Sequence, residues 1–138
     1  MIQRIQTLFL LFASGSAFAM LALPYASGSG GAIFADGVYK ADDQLGVLVC
    51  YAVSGALALA AMLLYKTRPV QSRLASFSAV ASLIGVGIGA WAYWESGLVA
   101  TSWSFSIGLP VVIVILALLA RHYIRKDENL VRSMDRLR

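Results

Sequence analysis

Four long stretches of this sequence contain no Asp, Glu, Lys, Arg or His, and they constrain the fold more than any other feature. They comprise residues 7–23, 45–65, 74–94 and 107–120. A membrane-spanning helix needs about 20 mainly apolar residues. With flanking residues included, the predicted spans are 3–23, 45–65, 74–94 and 105–124. These segments are too long and too uniformly apolar for barrel strands, so the sequence predicts four helices.

The overall composition agrees with burial in a membrane. Of the 138 residues, 59% are apolar and 13% are charged, whereas a soluble domain has about 25% charged residues. Short links between successive spans favour antiparallel neighbours. We therefore predict a single all-α domain over residues 1–138, an integral membrane up-down four-helix bundle with a tail over 125–138.

The basic residues predict the orientation of this bundle. Ten of the 11 Lys and Arg residues lie before the first span, between the second and third, or after the fourth. The other side holds Lys40 and four acidic residues, Asp36, Asp42, Asp43 and Glu95. Basic residues in short loops remain on the cytoplasmic side. The sequence thus predicts a multi-pass membrane protein with both termini in the cytoplasm.

The N-terminus has an alternative interpretation. Arg4, the apolar run after it and Ala17-Phe18-Ala19 resemble a signal peptide with a small-residue cleavage site. Cleavage after Ala19 would leave three spans. The apolar run continues through Met20-Leu21-Ala22-Leu23, as in a membrane anchor, so four spans are the preferred prediction.

The four apolar stretches lack the ionisable groups that mark proton relays and buried catalytic pairs in membranes. His122, the only histidine, lies at the cytoplasmic end of the fourth span, and Cys50, the only cysteine, has no partner for a Cys-x-x-Cys pair. No nucleophile, base and orienting group occur together. We therefore expect neither an enzyme nor a protein with a cofactor or a bound metal.

Small residues recur along the third span at intervals of four, three and four: Ser78, Ser82, Gly85 and Gly89. Small side chains let helices approach closely, and in lipid such packing supplies much of the association energy. The pattern predicts a helix-packing face. Packing within the bundle is the preferred interpretation, and docking of another membrane protein is the alternative.

The C-terminal tail has an apolar stripe at Leu130, Val131, Met134 and Leu137. Its acidic and basic residues are spaced to form the pairs Arg125–Glu128 and Glu128–Arg132. Anionic lipid is the first partner we expect, followed by a cytoplasmic protein. The mixed charges argue against nucleic acid, with ribosomal RNA as the remaining case. The basic residues expected to make these contacts are Arg125, Lys126, Arg132, Arg136 and Arg138.

The two ends of the chain resemble a family of small four-helix inner-membrane proteins of Bacteroidota. The opening is Met1-Ile2-Gln3-Arg4-Ile5-Gln6-Thr7. The ending contains Ile124-Arg125-Lys126-Asp127-Glu128, then Val131-Arg132-Ser133 and Asp135-Arg136-Leu137-Arg138. The resemblance implies the same location and topology for the whole chain, but it implies no activity.

Two functional hypotheses follow. The first is a non-enzymatic accessory or structural subunit of a larger inner-membrane complex, in contact with membrane lipid and with other subunits. The alternative is a small oligomeric transporter or lipid-handling protein with an uncharged path. Serines of the first three spans are the candidates to line that path, unless their hydroxyls bond to helix carbonyls instead: Ser14, Ser16, Ser54, Ser76, Ser78 and Ser82.

Overall fold

Four helices make up most of the structure, a computed structural model that describes residues 2–29, 36–97 and 99–135. They are α1 (Ile2–Ala22), α2 (Leu45–Leu63), α3 (Arg68–Ser96) and α4 (Leu109–Asp135). All four are long and apolar enough to cross a membrane. At about 1.5 Å per residue, even α2 spans about 29 Å, close to the thickness of a bilayer core. The prediction of four spanning-length helices is therefore confirmed.

A small antiparallel sheet departs from the all-α prediction. Its strands are β1 (Ala26–Ser29), β2 (Val38–Tyr39) and β3 (Val99–Trp103), in the order β2-β1-β3. Ala26 pairs with Tyr39 on one side and with Trp103 on the other. The sequence did not reveal these strands because they are short, and because β1 consists of Ala, Ser and Gly, which have little strand preference.

The sheet fixes the direction of the helices. Its strands follow α1, precede α2 and connect α3 to α4, so those four helix ends meet at one end of the bundle, which we call the sheet end. At the other end, Phe9 stacks on Tyr123 at 5.7 Å and Arg68 pairs with Asp127 at 3.1 Å. We call it the basic end. Each helix packs against its two sequence neighbours, and α4 closes the ring against α1.

The buried residues are mostly small and the exposed ones are mostly large and apolar, which is the opposite of a soluble protein. Alanine and serine fill much of the interior. Fully buried examples are Ala13, Ala58, Ser54 and Ser78. The surface carries large apolar side chains, including Phe12, Phe77, Leu83 and Val111. Soluble proteins rarely expose such a contiguous apolar surface. Helices in lipid, by contrast, meet through small residues and turn bulky ones outward.

Two helices extend beyond the predicted spans. Helix α3 begins at Arg68, so the link from α2 is only residues 64–67, and Pro69 occupies the first turn of α3. Proline suits that position because the first-turn N–H groups have no partner within the helix. Helix α4 begins at Leu109 and runs without a break to Asp135. The tail is therefore helical as far as Asp135 and continues α4, as its pattern predicts.

Candidate binding site: an aromatic cavity at the sheet end

The small-residue face of α3 lies against α2. Ser78, Ser82 and Gly85 are buried, and Ser78 exchanges hydrogen bonds with Ser54 of α2. The Ser54 hydroxyl donates to the Ser78 carbonyl at 2.9 Å, and the Ser78 hydroxyl donates to the Ser54 carbonyl at 2.9 Å. In the part of the chain that the structure describes, this face packs within the bundle. Docking of another protein on it stays a prediction.

The glycines of this face make room for two tyrosines. A Cβ added to Gly85 would lie 3.1 Å from Cβ of Cys50 and 3.2 Å from Cζ of Tyr51. A Cβ added to Gly89 would lie 3.1 Å from the hydroxyl oxygen of Tyr39. The Tyr39 hydroxyl donates to the Gly89 carbonyl at 2.9 Å. Both glycines thus support aromatic side chains at the sheet end.

Those tyrosines form part of the wall of a cavity of about 360 Å³. Ligand pockets typically have volumes of about 300–1,000 Å³, so this cavity is large enough to hold part of a small molecule. Among the described residues, the lining contains no Asp, Glu, Lys, Arg or His, and its non-aromatic members are aliphatic residues, Met20 and glycines. Six aromatic side chains line it: Tyr25, Tyr39, Tyr51, Tyr93, Trp94 and Trp103.

The cavity reaches the surface between α3 and the start of α4. Its deep walls are buried residues of α1, α2 and the sheet end, such as Met20 and Val47. Its exposed lining residues lie on the opposite side: Val86 and Trp94 of α3, and Ile107 just before α4. Trp94 is 87% exposed. Ala90 of α3 and Trp103 of β3 are exposed lining residues as well, so the mouth opens onto the apolar surface of the helices beside the sheet.

Aromatic contacts connect the wall residues. Tyr25 meets Tyr39 edge to face at 5.3 Å, and Tyr93 packs against Trp103 at 5.2 Å. Tyr39 bridges these pairs through its contact with Tyr93 at 6.4 Å. Such arrangements each contribute about 0.5–1.5 kcal/mol beyond the area that they bury. The wall is a connected aromatic cluster whose members come from β2, α3, β3 and the residue before β1.

The phenols of Tyr25 and Tyr39 are neutral groups. The Tyr25 hydroxyl donates to the Met20 carbonyl at 2.7 Å. Burial raises the pKa of Tyr25, and burial with the nearby Asp43 carboxylate raises the pKa of Tyr39 to about 12. Loss of a proton would place a charge in an apolar cavity, which is costly. The cavity can therefore bind an uncharged molecule, while its lining offers no acid, base or nucleophile suited to neutral pH.

The serines of the anticipated path are largely engaged in bonds between and within helices. The Ser14 hydroxyl donates to the Gly55 carbonyl of α2 at 3.1 Å, and the Ser76 hydroxyl donates to Ser72 of its own helix at 2.9 Å. Ser82 is fully buried, and its hydroxyl has no hydrogen-bond partner. The lining of the cavity contains no serine.

The basic residues of the tail lie at the opposite end of the molecule from the cavity. Arg125 and Lys126 are exposed on α4. The side chain of Arg132 and the whole of Arg136 and Arg138 lie outside the described residues. The predicted pairs of Glu128 with Arg125 and Arg132 stay predictions. The clearest ion pair of this end joins two helices instead, from Arg68 of α3 to Asp127 of α4.

Sequence reasoning did not identify the cavity. The preference of aromatic residues for a membrane interface accounts for exposed Trp94 but not for buried Tyr25, Tyr39 and Tyr51. The number of tyrosines close to the ends of the predicted spans is a sequence feature that could have indicated an aromatic cluster. Their convergence depends on the sheet, which brings β1, β2 and β3 together.

Comparison with known proteins gives one match. A family model described as "Domain of unknown function (DUF4293)" matches residues 2–137. No curated protein and no solved structure matches the chain.

Proposed function

The chain belongs to the DUF4293 family, and since the description of that family assigns no activity, we propose a function from the geometry. We propose that this protein is a multi-pass integral protein of the bacterial cytoplasmic membrane. In this proposal it binds an uncharged, lipid-like molecule in the aromatic cavity at the sheet end. This is the lipid-handling hypothesis of the sequence analysis, now attached to particular residues.

Three observations support the membrane location and orientation. The helices have spanning length, their exposed side chains are large and apolar, and the charged residues lie near the two ends. Basic residues concentrate at one end, while Asp36, Asp42, Asp43 and Glu95 lie near the sheet end. The positive-inside rule then puts the basic end in the cytoplasm and the sheet end outside.

The observation that carries the binding proposal is the mouth of the cavity on the apolar surface of the helices. Val86, Trp94 and Ile107 line the cavity and are also exposed on the apolar surface between α3 and α4. In a membrane that surface faces lipid, so a ligand can enter from the bilayer without crossing water. Trp94 and Trp103 at the mouth match the level at which tryptophan concentrates, the boundary between acyl chains and headgroups.

A substitution that fills the cavity tests this proposal. Ala90 is an exposed alanine of α3 that lines the cavity, and Ala56 is an exposed alanine of α2 that does not. The protein is reconstituted in vesicles and titrated with 1-bromododecane, whose bromine quenches tryptophan on contact. Partition into the lipid gives quenching that rises without saturation, whereas occupation of the cavity adds a saturable part through Trp94 and Trp103.

We expect saturable quenching in the wild type and in Ala56→Phe, and its loss in Ala90→Phe. The thermal midpoint of both variants is measured alongside, because a misfolded variant would also lose the signal. Quenching in the wild type that never saturates, or saturable quenching that Ala90→Phe leaves unchanged, would contradict the proposal.

The accessory-subunit hypothesis stays a prediction. In the described structure the face of α3 with Ser78, Ser82, Gly85 and Gly89 packs toward α2, so a partner would have to use the outward faces of the helices or the tail. Migration on a native gel from mild detergent tests it: a lone small species in the wild type would count against a stable complex.

A further inference from the structure

The hydroxyl of Tyr51 is the unusual polar group of the cavity. Tyr51 belongs to α2, is only 2% exposed and lines the cavity. The carbon that bears its hydroxyl, Cζ, lies beside Gly85, which also lines the cavity. Within residues 2–29, 36–97 and 99–135, no hydrogen bond engages this hydroxyl.

Its two neighbours on the wall are already engaged. The Tyr25 hydroxyl donates to Met20 and the Tyr39 hydroxyl donates to Gly89. A buried hydroxyl without a partner costs about 1–3 kcal/mol, which is why buried polar groups in proteins are nearly always paired. The Tyr93 hydroxyl, also on the wall, accepts a hydrogen bond from the Ala100 N–H at 3.4 Å. A ligand in the cavity that accepts a hydrogen bond from Tyr51 would supply the acceptor that the described residues do not.

Charge restricts what the acceptor can be. None of the described residues that line the cavity is cationic, so a phosphate or carboxylate would lose its hydration without receiving a counter-charge from them. A neutral oxygen loses far less on leaving water, and a carbonyl is the strongest neutral acceptor that a membrane-soluble molecule commonly carries. The rest of the wall is aromatic and aliphatic, which suits the apolar remainder of such a molecule.

From these contacts we infer that the cavity binds an uncharged, carbonyl-bearing lipid whose carbonyl oxygen accepts a hydrogen bond from Tyr51. Two sources share this chemistry: a ring ketone with an apolar tail, as in a prenylated quinone, and the ester carbonyl of a diacylglycerol. The inference rests on the proposed function and adds to it the polar group that selects the ligand.

Tyr51→Phe removes the hydroxyl and keeps the ring. Its matched control is Tyr65→Phe, since Tyr65 lies at the other end of the molecule and is 52% exposed. Three probes are compared in vesicles: decylbenzoquinone, dioctanoylglycerol and tridecane, which has no acceptor. Decylbenzoquinone is followed by saturable tryptophan quenching, and the other two by competition with 1-bromododecane.

We expect at least one carbonyl probe to bind the wild type more tightly than tridecane does. Tyr51→Phe should weaken that probe about tenfold, because one hydrogen bond in a dry site is worth about that factor. Binding of 1-bromododecane should be unchanged in Tyr51→Phe, which also shows that the variant folds. The carbonyl probe that binds identifies the source, ring or ester.

A second readout separates a hydrogen bond from a change of shape. The infrared carbonyl band of the bound probe should move to lower frequency in the wild type and in Tyr65→Phe, and should stay at its free position in Tyr51→Phe.

Equal binding of carbonyl probes and tridecane, or full carbonyl binding by Tyr51→Phe, would overturn this inference and leave the cavity as a site for any apolar chain. Absence of saturable 1-bromododecane binding in the wild type would instead overturn the proposed function together with the inference.

Discussion

Gly85 sets the distance between α2 and α3 at the floor of the cavity. A Cβ at this position would press on Cβ of Cys50, an atom attached directly to the backbone of α2. Neither helix can yield there without moving as a whole, since a Cβ has no rotatable bond of its own. Two residues along, Gly87 is exposed and has no atom within 4 Å of an added Cβ.

The two glycines therefore form a matched pair for mutation. We expect Gly85→Ala to lower the free energy of unfolding by about 1–2 kcal/mol, because overpacking outweighs the better helix propensity of alanine. Gly87→Ala should be neutral or stabilise by up to about 1 kcal/mol, since only propensity changes. Unfolding by SDS in mixed micelles measures both. Equal effects of the two substitutions on the free energy of unfolding would show that close packing at Gly85 does not determine the stability.

Helix α4 is the element whose role the structure changes most. At about 1.5 Å per residue its 27 residues extend about 40 Å, more than the roughly 30 Å of a bilayer core. The excess lies at the basic end, where Asp127 is held against Arg68 and Tyr123 against Phe9. The first part of the tail is thus attached to α1 and α3 and continues the bundle beyond the length that a bilayer core would cover.

Reversal of charge tests this attachment. Arg68→Glu would face Asp127 with a like charge, and we expect it to lower the free energy of unfolding by about 1–2 kcal/mol at low salt. The double change Arg68→Glu with Asp127→Arg should recover most of the loss. Arg73→Glu is the control, because Arg73 is an exposed basic residue of the same helix.

Salt gives a further check on the same pair. The effect of Arg68→Glu should shrink at high ionic strength, because screening weakens the repulsion. A loss as large in Arg73→Glu, or no recovery in the double variant, would mean that α4 is held without the ion pair.

At the scale of the whole molecule, the sheet is what distinguishes the two ends. It links the sheet-end termini of all four helices and forms part of the cavity wall through Tyr39 and Trp103. Close packing holds it together: a Cβ on Gly28 would collide with the Val99 carbonyl oxygen. The basic end has no equivalent cap among the described residues, and its helices end at different heights.

Orientation can be measured with single cysteines. In a Cys50→Ser background, Ser29→Cys places a thiol at the sheet end and Ser133→Cys places one on the tail, and both serines are exposed. We expect a membrane-impermeant maleimide to label Ser29→Cys in intact spheroplasts, and Ser133→Cys only after lysis. The charge distribution predicts this order. The reverse order would show the opposite topology, and labelling of both in intact spheroplasts would mean that the three helices between the two positions do not all cross the membrane.

The number of spanning helices followed from the sequence because it depends on local composition. Length and the absence of charged residues identify a helix of spanning length whatever it packs against, so the four apolar stretches predicted the four helices. Helices α3 and α4 extend beyond the predicted spans, into segments that contain charged residues. The spacing of small residues also marked the side of α3 that packs toward α2. Hydrophobic periodicity could not add more, because a helix in lipid is apolar on both its buried and its exposed faces.

Only the tertiary structure decided the sheet and the cavity. Ala26 pairs with Tyr39 and Trp103, residues from separate loops, and the cavity gathers Tyr25, Tyr51 and Tyr93 from three further positions. No local pattern encodes such pairing, because hydrogen bonds between short Ser- and Gly-rich strands form only once the helices hold the loops together. The sequence by itself determined four helices long and apolar enough to cross a membrane. The fold decided where between them a cavity lies.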